Sequence, residues 1–170
     1  EEFGTTCKVL FLPDVFGYSA ALPQILKKAG IDYFVTSKIS WNETNKLPVD
    51  EFLWQGIDGT EIFTTFLTAQ DYVGPEAANY TLYVGSINSS MLKGAWNRFQ
   101  QKEYSDRVMV TFGYGDGGGG PTKQMLEQFR RLEKGLPGLP VAEMGFMTPH
   151  LEQRKQLFDA GCKRTQRTPK

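Results

Sequence analysis

Residues 8–25, KVLFLPDVFGYSAALPQI, decide how the rest of the chain reads. Val9 to Leu12 form an apolar run of strand length, ended by Pro13. Asp14 follows at once, and Gly17 and Ser19 then offer turn and N-cap chemistry ahead of a helix beginning at Ala20. An acid at the C-terminal end of a buried parallel strand, just before its helix, stands where α/β enzymes carry catalytic groups. Taken singly, such an aspartate reads first as a turn residue. A second acid in a comparable place later in the chain moves the reading toward function.

Outward from this stretch, residues 20–29 read as a helix with Pro23 in its first turn, where the missing N–H costs nothing, and Gly30 as its stop. Residues 31–36 (IDYFVT) return as a strand, completing a strand–helix–strand unit whose strands are parallel. That arrangement puts Lys38 on the same rim as Asp14, where an ammonium can bind substrate hydroxyls, balance the acid, or simply be solvated. Residues 40–53 are polar and irregular. Phe52, Leu53 and Trp54 lead into the turn signal GIDGT at 56–60, and EIFTTFL at 61–67 is a further strand. A loop at 70–80 holds Asp71 and Tyr72. Residues 85–102 read as a helix interrupted by Gly94, and 107–112 (RVMVTF) as a buried strand. A helix at 121–134, a strand at 139–144 and a helix at 151–160 complete the pattern. The alternation predicts an α/β layer structure with a mostly parallel sheet.

A chain of 170 residues can bury a sizeable core. Lysine plus arginine equal aspartate plus glutamate at 19 each, so no net field draws nucleic acid or an anionic membrane, and no apolar run is long enough to span one. Cys7 and Cys162 sit at opposite ends without paired spacing, which points to reduced thiols and a cytoplasmic setting. Asn42, Asn79 and Asn88 each head an N-x-[ST] triplet, discounted for want of a secretion signal.

The strand expected at 107–112 runs into GYGDGGGGPT at 113–122. A glycine loop between strand and helix invites a phosphate cradle, but Thr122-Lys123 come in the wrong order for a P-loop and the glycines miss the dinucleotide spacing. The run also strips side chains from around Asp116, so that a bulky ligand can approach it. Asp14 and Asp116 are then a candidate carboxylate pair on one sheet rim. Glycoside hydrolysis uses such a pair, one acid attacking or activating water and the other protonating the leaving oxygen, with a separation of about 5–5.5 Å in retaining enzymes. The alternative is a non-catalytic carbohydrate- or phosphate-binding module built on residues 115–122.

Four ordered motifs, LPDVFGYSAALPQILKKAG, DYFVTSKISWNETN, FLWQGIDGTE and FGYGDGGGGPT, are similar to the α-mannosidases of glycoside hydrolase family 38, in the branch shared by bacterial and cytosolic enzymes. The resemblance runs from about Cys7 to Pro140. It implies a partial (β/α) barrel-like catalytic domain that hydrolyses terminal α-D-mannosides of oligosaccharides with retention. It further implies that Asp14 is the nucleophile, forming a covalent mannosyl-aspartate, and a ligand of a divalent cation, usually zinc. Asp116 falls on the general acid/base, Lys38 on a sugar-subsite position that is arginine in other branches, and Trp54 and Tyr72 on substrate-binding positions.

Departures from the family pattern are as informative. No His-x-Asp metal pair precedes Asp14, and no Leu-His-x-Gly-Thr motif follows. The single histidine, His150, lies in TPHLE, outside that motif, and reads as a surface residue at a helix start. Phe11 stands where the family usually has tryptophan. Residues 1–144 accordingly read as part of the catalytic domain and 145–170 as a helical, basic tail of separate character. An internal piece of this kind keeps both carboxylates but one metal ligand, so it is expected to bind zinc poorly and to be inactive alone. A severed barrel also leaves strand edges open, a route to self-association.

Overall fold

The computed structural model describes residues 3–71 and 80–165, with side chains to residue 161. The strand–helix–strand unit is present: β1 (Val9–Phe11), α1 (Leu22–Lys28) and β2 (Tyr33–Thr36), with β1 and β2 parallel and Leu10 opposite Phe34. The helix begins two residues later than Ala20, because Ser19 spends its carbonyl on Leu22 N and its hydroxyl on Ala21 N in a turn ahead of it. Pro23 lies in its first turn, as its fixed φ favours. β3 (Glu51–Gln55) and β4 (Glu61–Phe66) form an antiparallel hairpin across the glycine-containing turn, and β4 lies parallel to β2. The sheet order is β1-β2-β4-β3. Two of its three pairings are parallel, the sheet is open, and no closed barrel is formed by the described residues.

Side chains alternate across β2 and β4 and supply two separate apolar layers. Phe34 and Ile62 meet Leu26 of α1, with Tyr18 and Trp54 packed around them. On the other face Val35 and Leu67 pack against Leu151 of α4 (Met147–Thr165), while Phe63 meets the Phe158 ring. Coverage of both faces explains why β2 and β4 read as near-continuous apolar and threonine runs. A satellite cluster joins α2 (Ser89–Arg98) to α3 (Lys123–Leu132) through Leu92, Met125, Phe129 and Leu132. Gly94 belongs in α2 because the helix passes so close to the 70–71 backbone that an added Cβ would lie 2.9 Å from the Asp71 carbonyl carbon. Arg98, one turn on, ties both carbonyls of that segment at 2.8 and 2.6 Å.

Three expectations are corrected. Residues 107–112 belong to no strand; Thr111 Oγ1 donates to Tyr83 O and Gly113 N to Gly85 O, so this segment lies along 83–85 rather than joining the sheet. Residues 139–144 form no strand either, and Val141 and Met144 point outward at 67 % and 53 % exposure. α2 is shorter than 85–102, since Asn88 caps it by accepting from Met91 N at 2.8 Å. Of the sheet's two edges, β3 has its outward groups at Glu51 engaged by the Gln101 amide, which accepts from Glu51 N and donates to Glu51 O. That is a side-chain cover over a strand edge.

α4, which begins just past residue 145, is anchored through a buried ion pair. Arg154 Nε and Nη2 donate to the two oxygens of Glu51 at 2.8 and 2.6 Å, Tyr104 adds a third bond at 2.9 Å, and the guanidinium lies against the Phe99 and Tyr104 rings. Among the described residues no helix is long and apolar enough to cross a membrane.

Candidate active site

The C-terminal ends of β1 and β2 are stapled together by short-range chemistry. Pro13 O accepts from Ser37 Oγ at 2.8 Å and from Lys38 N at 3.3 Å, bringing the turn after β1 against the turn after β2. Tyr18 fixes the intervening loop: its hydroxyl lies 2.7 Å from Leu12 O, 3.1 Å from Val15 O and 2.6 Å from Thr36 Oγ1. Burial, with the Asp14 charge as a smaller contribution, raises the Tyr18 pKa against the Thr36 hydrogen bond, so the phenol stays neutral.

This frame sets Lys38 Nζ 3.2 Å from Asp14 Oδ1. The lysine stem is buried while the aspartate is half exposed, 12 % against 48 %. Its ammonium lies 3.7 Å from the Trp41 ring centroid and 5.4 Å from that of Phe16, and Trp41 is held by an indole hydrogen bond to Thr81 O. Lys38 therefore lies beside Asp14 on the rim shared by the two parallel strands.

Asp116 arrives from the glycine loop. Tyr114 and Gly120 close the loop with two mutual backbone hydrogen bonds of 2.9 Å, and Asp116 at its tip has φ +51°, a left-handed conformation that aspartate tolerates better than most side chains. Tyr83 Oη donates to Asp116 Oδ1 at 2.6 Å. That bond, burial, and then the charge and hydrogen-bonding reach of Asp14 push the Tyr83 pKa up to about 12. The phenol thus bonds to Asp116 and also feels the charge of Asp14, 102 positions earlier in the chain (116 minus 14).

Trp54 packs within the α1-side layer, its ring 5.6 Å from that of Phe34 and 6.3 Å from that of Tyr18, so it backs the loop that carries Asp14. Tyr72 lies outside the described residues. Sequence reasoning missed Tyr18 and Tyr83, since a lone tyrosine in a loop carries no signal beyond its type. It also passed over the exposed ring cluster of Phe16, Trp41 and Tyr80, which meet edge to face at 5.9 and 5.5 Å.

The donor set for a divalent cation does not fit here. Among the described residues no group of three or more His, Cys, Asp or Glu converges, and Asp14 is one carboxylate already paired with Lys38. His150 is in the first turn of α4, as expected, and is partly buried there. Burial, reinforced by the Arg154 and Arg107 charges, lowers its pKa to about 4, leaving a neutral, half-buried imidazole.

Residues 1–163 match the sequence pattern described as Glycosyl hydrolases family 38 N-terminal domain. The chain is 40 % identical over 149 residues to Alpha-mannosidase G of Dictyostelium discoideum, covering 88 % of this chain and 12 % of that protein. It is 39 % identical over 155 residues to Alpha-mannosidase 2C1 of Mus musculus, covering 90 % and 14 %. Against Alpha-mannosidase of Saccharomyces cerevisiae the identity is 36 % over 132 residues, covering 78 % and 11 %. The chain therefore spans about one-eighth of the length of these relatives.

Proposed function

Since this chain belongs to the glycosyl hydrolases of family 38, we propose that it contributes the carboxylate pair of a retaining α-mannosidase acting on terminal α-D-mannosides of oligosaccharides. The observation that carries the reading is the 2.6 Å bond from Tyr83 to Asp116, made by a phenol whose pKa is raised first by that bond and also by the Asp14 charge, so that the two acids lie near one another. In the first step an Asp14 oxygen attacks the anomeric carbon, the glycosidic C–O bond breaks, and Asp116 gives its proton to the departing oxygen. In the second, water attacks the same carbon, its proton passes to Asp116, and Asp14 leaves. Lys38 holds Asp14 Oδ1, which presents Oδ2 to the sugar, and its remaining donors can reach a sugar hydroxyl.

In this reading the open sheet is one arc of a larger barrel-like domain, and Asp14 is a single ligand of a cation whose other donors lie beyond these residues. No step here is routed through that ion. One oxygen donor does not hold zinc, which takes four ligands. Residues 1–170 alone, assayed with p-nitrophenyl α-mannoside and added zinc, should therefore turn over little or nothing. Robust hydrolysis by these residues would overturn the incomplete-site argument. The exposed free thiol of Cys7 suits a reducing, cytoplasmic compartment.

Asp116→Ala in the full-length protein tests the acid/base role. The expected loss in kcat/KM is about 10²–10⁴-fold for mannosides with poor leaving groups, shrinking toward none for dinitrophenyl mannoside, whose departure needs no proton, while kcat on that substrate still falls because the second step loses its base. An equal loss in kcat/KM on all substrates would remove Asp116 from this role.

A further inference from the structure

Tyr83 is more closely specified by its surroundings than its place in a loop suggests. Thr111 Oγ1 donates to its carbonyl at 2.7 Å, and its ring packs beside the buried cluster of Val35, Leu67 and Leu151. The ring then crosses the glycine loop at Gly115. A Cβ there would collide with Val84 and come within 2.8 Å of Tyr83 Cε2 and 3.1 Å of its hydroxyl oxygen. The glycine thus makes room for the phenol, which delivers its one proton to Oδ1 of Asp116 at 2.6 Å.

The two oxygens of a carboxyl group are equivalent until surroundings distinguish them. A general acid needs its proton on the oxygen facing the leaving group, and a donor held on the other oxygen enforces that choice. Resting on the mannosidase reading above, we propose that Tyr83 is a positioning residue that assigns the two oxygens of Asp116. Oδ1 accepts from the phenol throughout. Oδ2 carries the proton, gives it to the glycosidic oxygen as the C–O bond to the sugar breaks, and recovers one from the water that attacks the anomeric carbon. The phenol proton itself is not transferred, so the two steps balance with mannoside and water in and mannose and alcohol out.

Tyr83→Phe keeps the ring and removes the donor, so the test is made in the full-length protein with a series of aryl and alkyl α-mannosides of rising leaving-group pKa. The expected result is a fall in kcat/KM of about 10- to 100-fold for the poorest leaving groups, the size of one hydrogen bond to a charged group. For dinitrophenyl mannoside the change in kcat/KM is near zero. Tyr83→Phe placed on Asp116→Ala should cost nothing further, because the tyrosine acts only through that acid. Gly115→Ala, which displaces the ring while leaving the phenol intact, should reproduce the same leaving-group dependence. A loss equal across the series, or one that adds to that of Asp116→Ala, overturns the positioning role. If Asp116→Ala itself lacks leaving-group dependence, the acid/base assignment has failed and the inference falls with it. If Asp116→Ala shows the dependence and Tyr83→Phe does not, the assignment stands and only the role of Tyr83 is lost.

Discussion

Asp14→Ala in the full-length protein should lower kcat/KM for α-mannosides by a factor on the order of 10⁴ or more, because it removes the group that forms the covalent intermediate. The effect should be present with every leaving group, activated or not, since no departure of the aglycone substitutes for the missing nucleophile. This separates Asp14 from Asp116, whose loss activated substrates bypass. Added azide supplies a small anion to the vacated space, attacking from the side where Asp14 stood, and the product should be a β-mannosyl azide. Azide with Asp116→Ala should instead act on the mannosyl-enzyme and yield the α-anomer. Lys38, 3.2 Å from Asp14, would be left without its carboxylate partner, so a melting curve belongs beside the kinetics. A folded Asp14→Ala protein retaining more than about a tenth of wild-type turnover would be incompatible with the nucleophile assignment, given the far larger losses that nucleophile removal causes.

The second large effect concerns stability. Arg154→Ala should destabilise the fold by about 3–5 kcal/mol, the usual consequence of stranding one partner of a buried ion pair. Glu51 is 3 % exposed at its side chain, and its two oxygens have Arg154 and Tyr104 as partners. Removing the guanidinium leaves that carboxylate facing a phenol whose pKa is already driven upward, first by burial and then by the Glu51 charge. The expected fall in melting temperature is on the order of 10 °C for a domain of this size. Replacing both partners by apolar residues, Glu51→Leu with Arg154→Met, should recover most of the loss, because neither variant side chain then needs a partner. The measurement is a double-mutant cycle by thermal or urea unfolding. Additive single losses would show that α4 is held by Leu151 and Phe158 rather than by the ion pair.

The central strands, the hairpin and the helices α1, α3 and α4 were legible from local signals. Val9 to Phe11 and Tyr33 to Thr36 are apolar runs bounded by breakers, and Pro23, Pro121 and Gly135 mark helix ends. Lys38 beside Asp14 was legible too, because two parallel strands joined by one helix must end on the same side of their sheet. Residues 107–112 and 139–144 were misread for a common reason. A short apolar run shows that a segment has side chains to bury or to dock, but strand formation also needs a free backbone edge to pair with, and that partner is not encoded locally. Residues 107–112 found the 83–85 segment instead of the sheet.

By itself the sequence determined the α/β class, the parallel unit that carries Asp14, the loop that carries Asp116, and a family likeness in four ordered motifs. Only the tertiary structure decided that the sheet is open and mixed, that Glu51 and Arg154 join β3 to α4, and that Tyr83 lies against Asp116. The division has a physical origin. Strands, helices and turns arise from interactions among residues a few positions apart, so their patterns lie on the surface of the sequence. A hydrogen bond between residues 33 positions apart, such as that of Tyr83 with Asp116, exists only once the packing of Val35, Leu67 and Leu151 has set the distance between them.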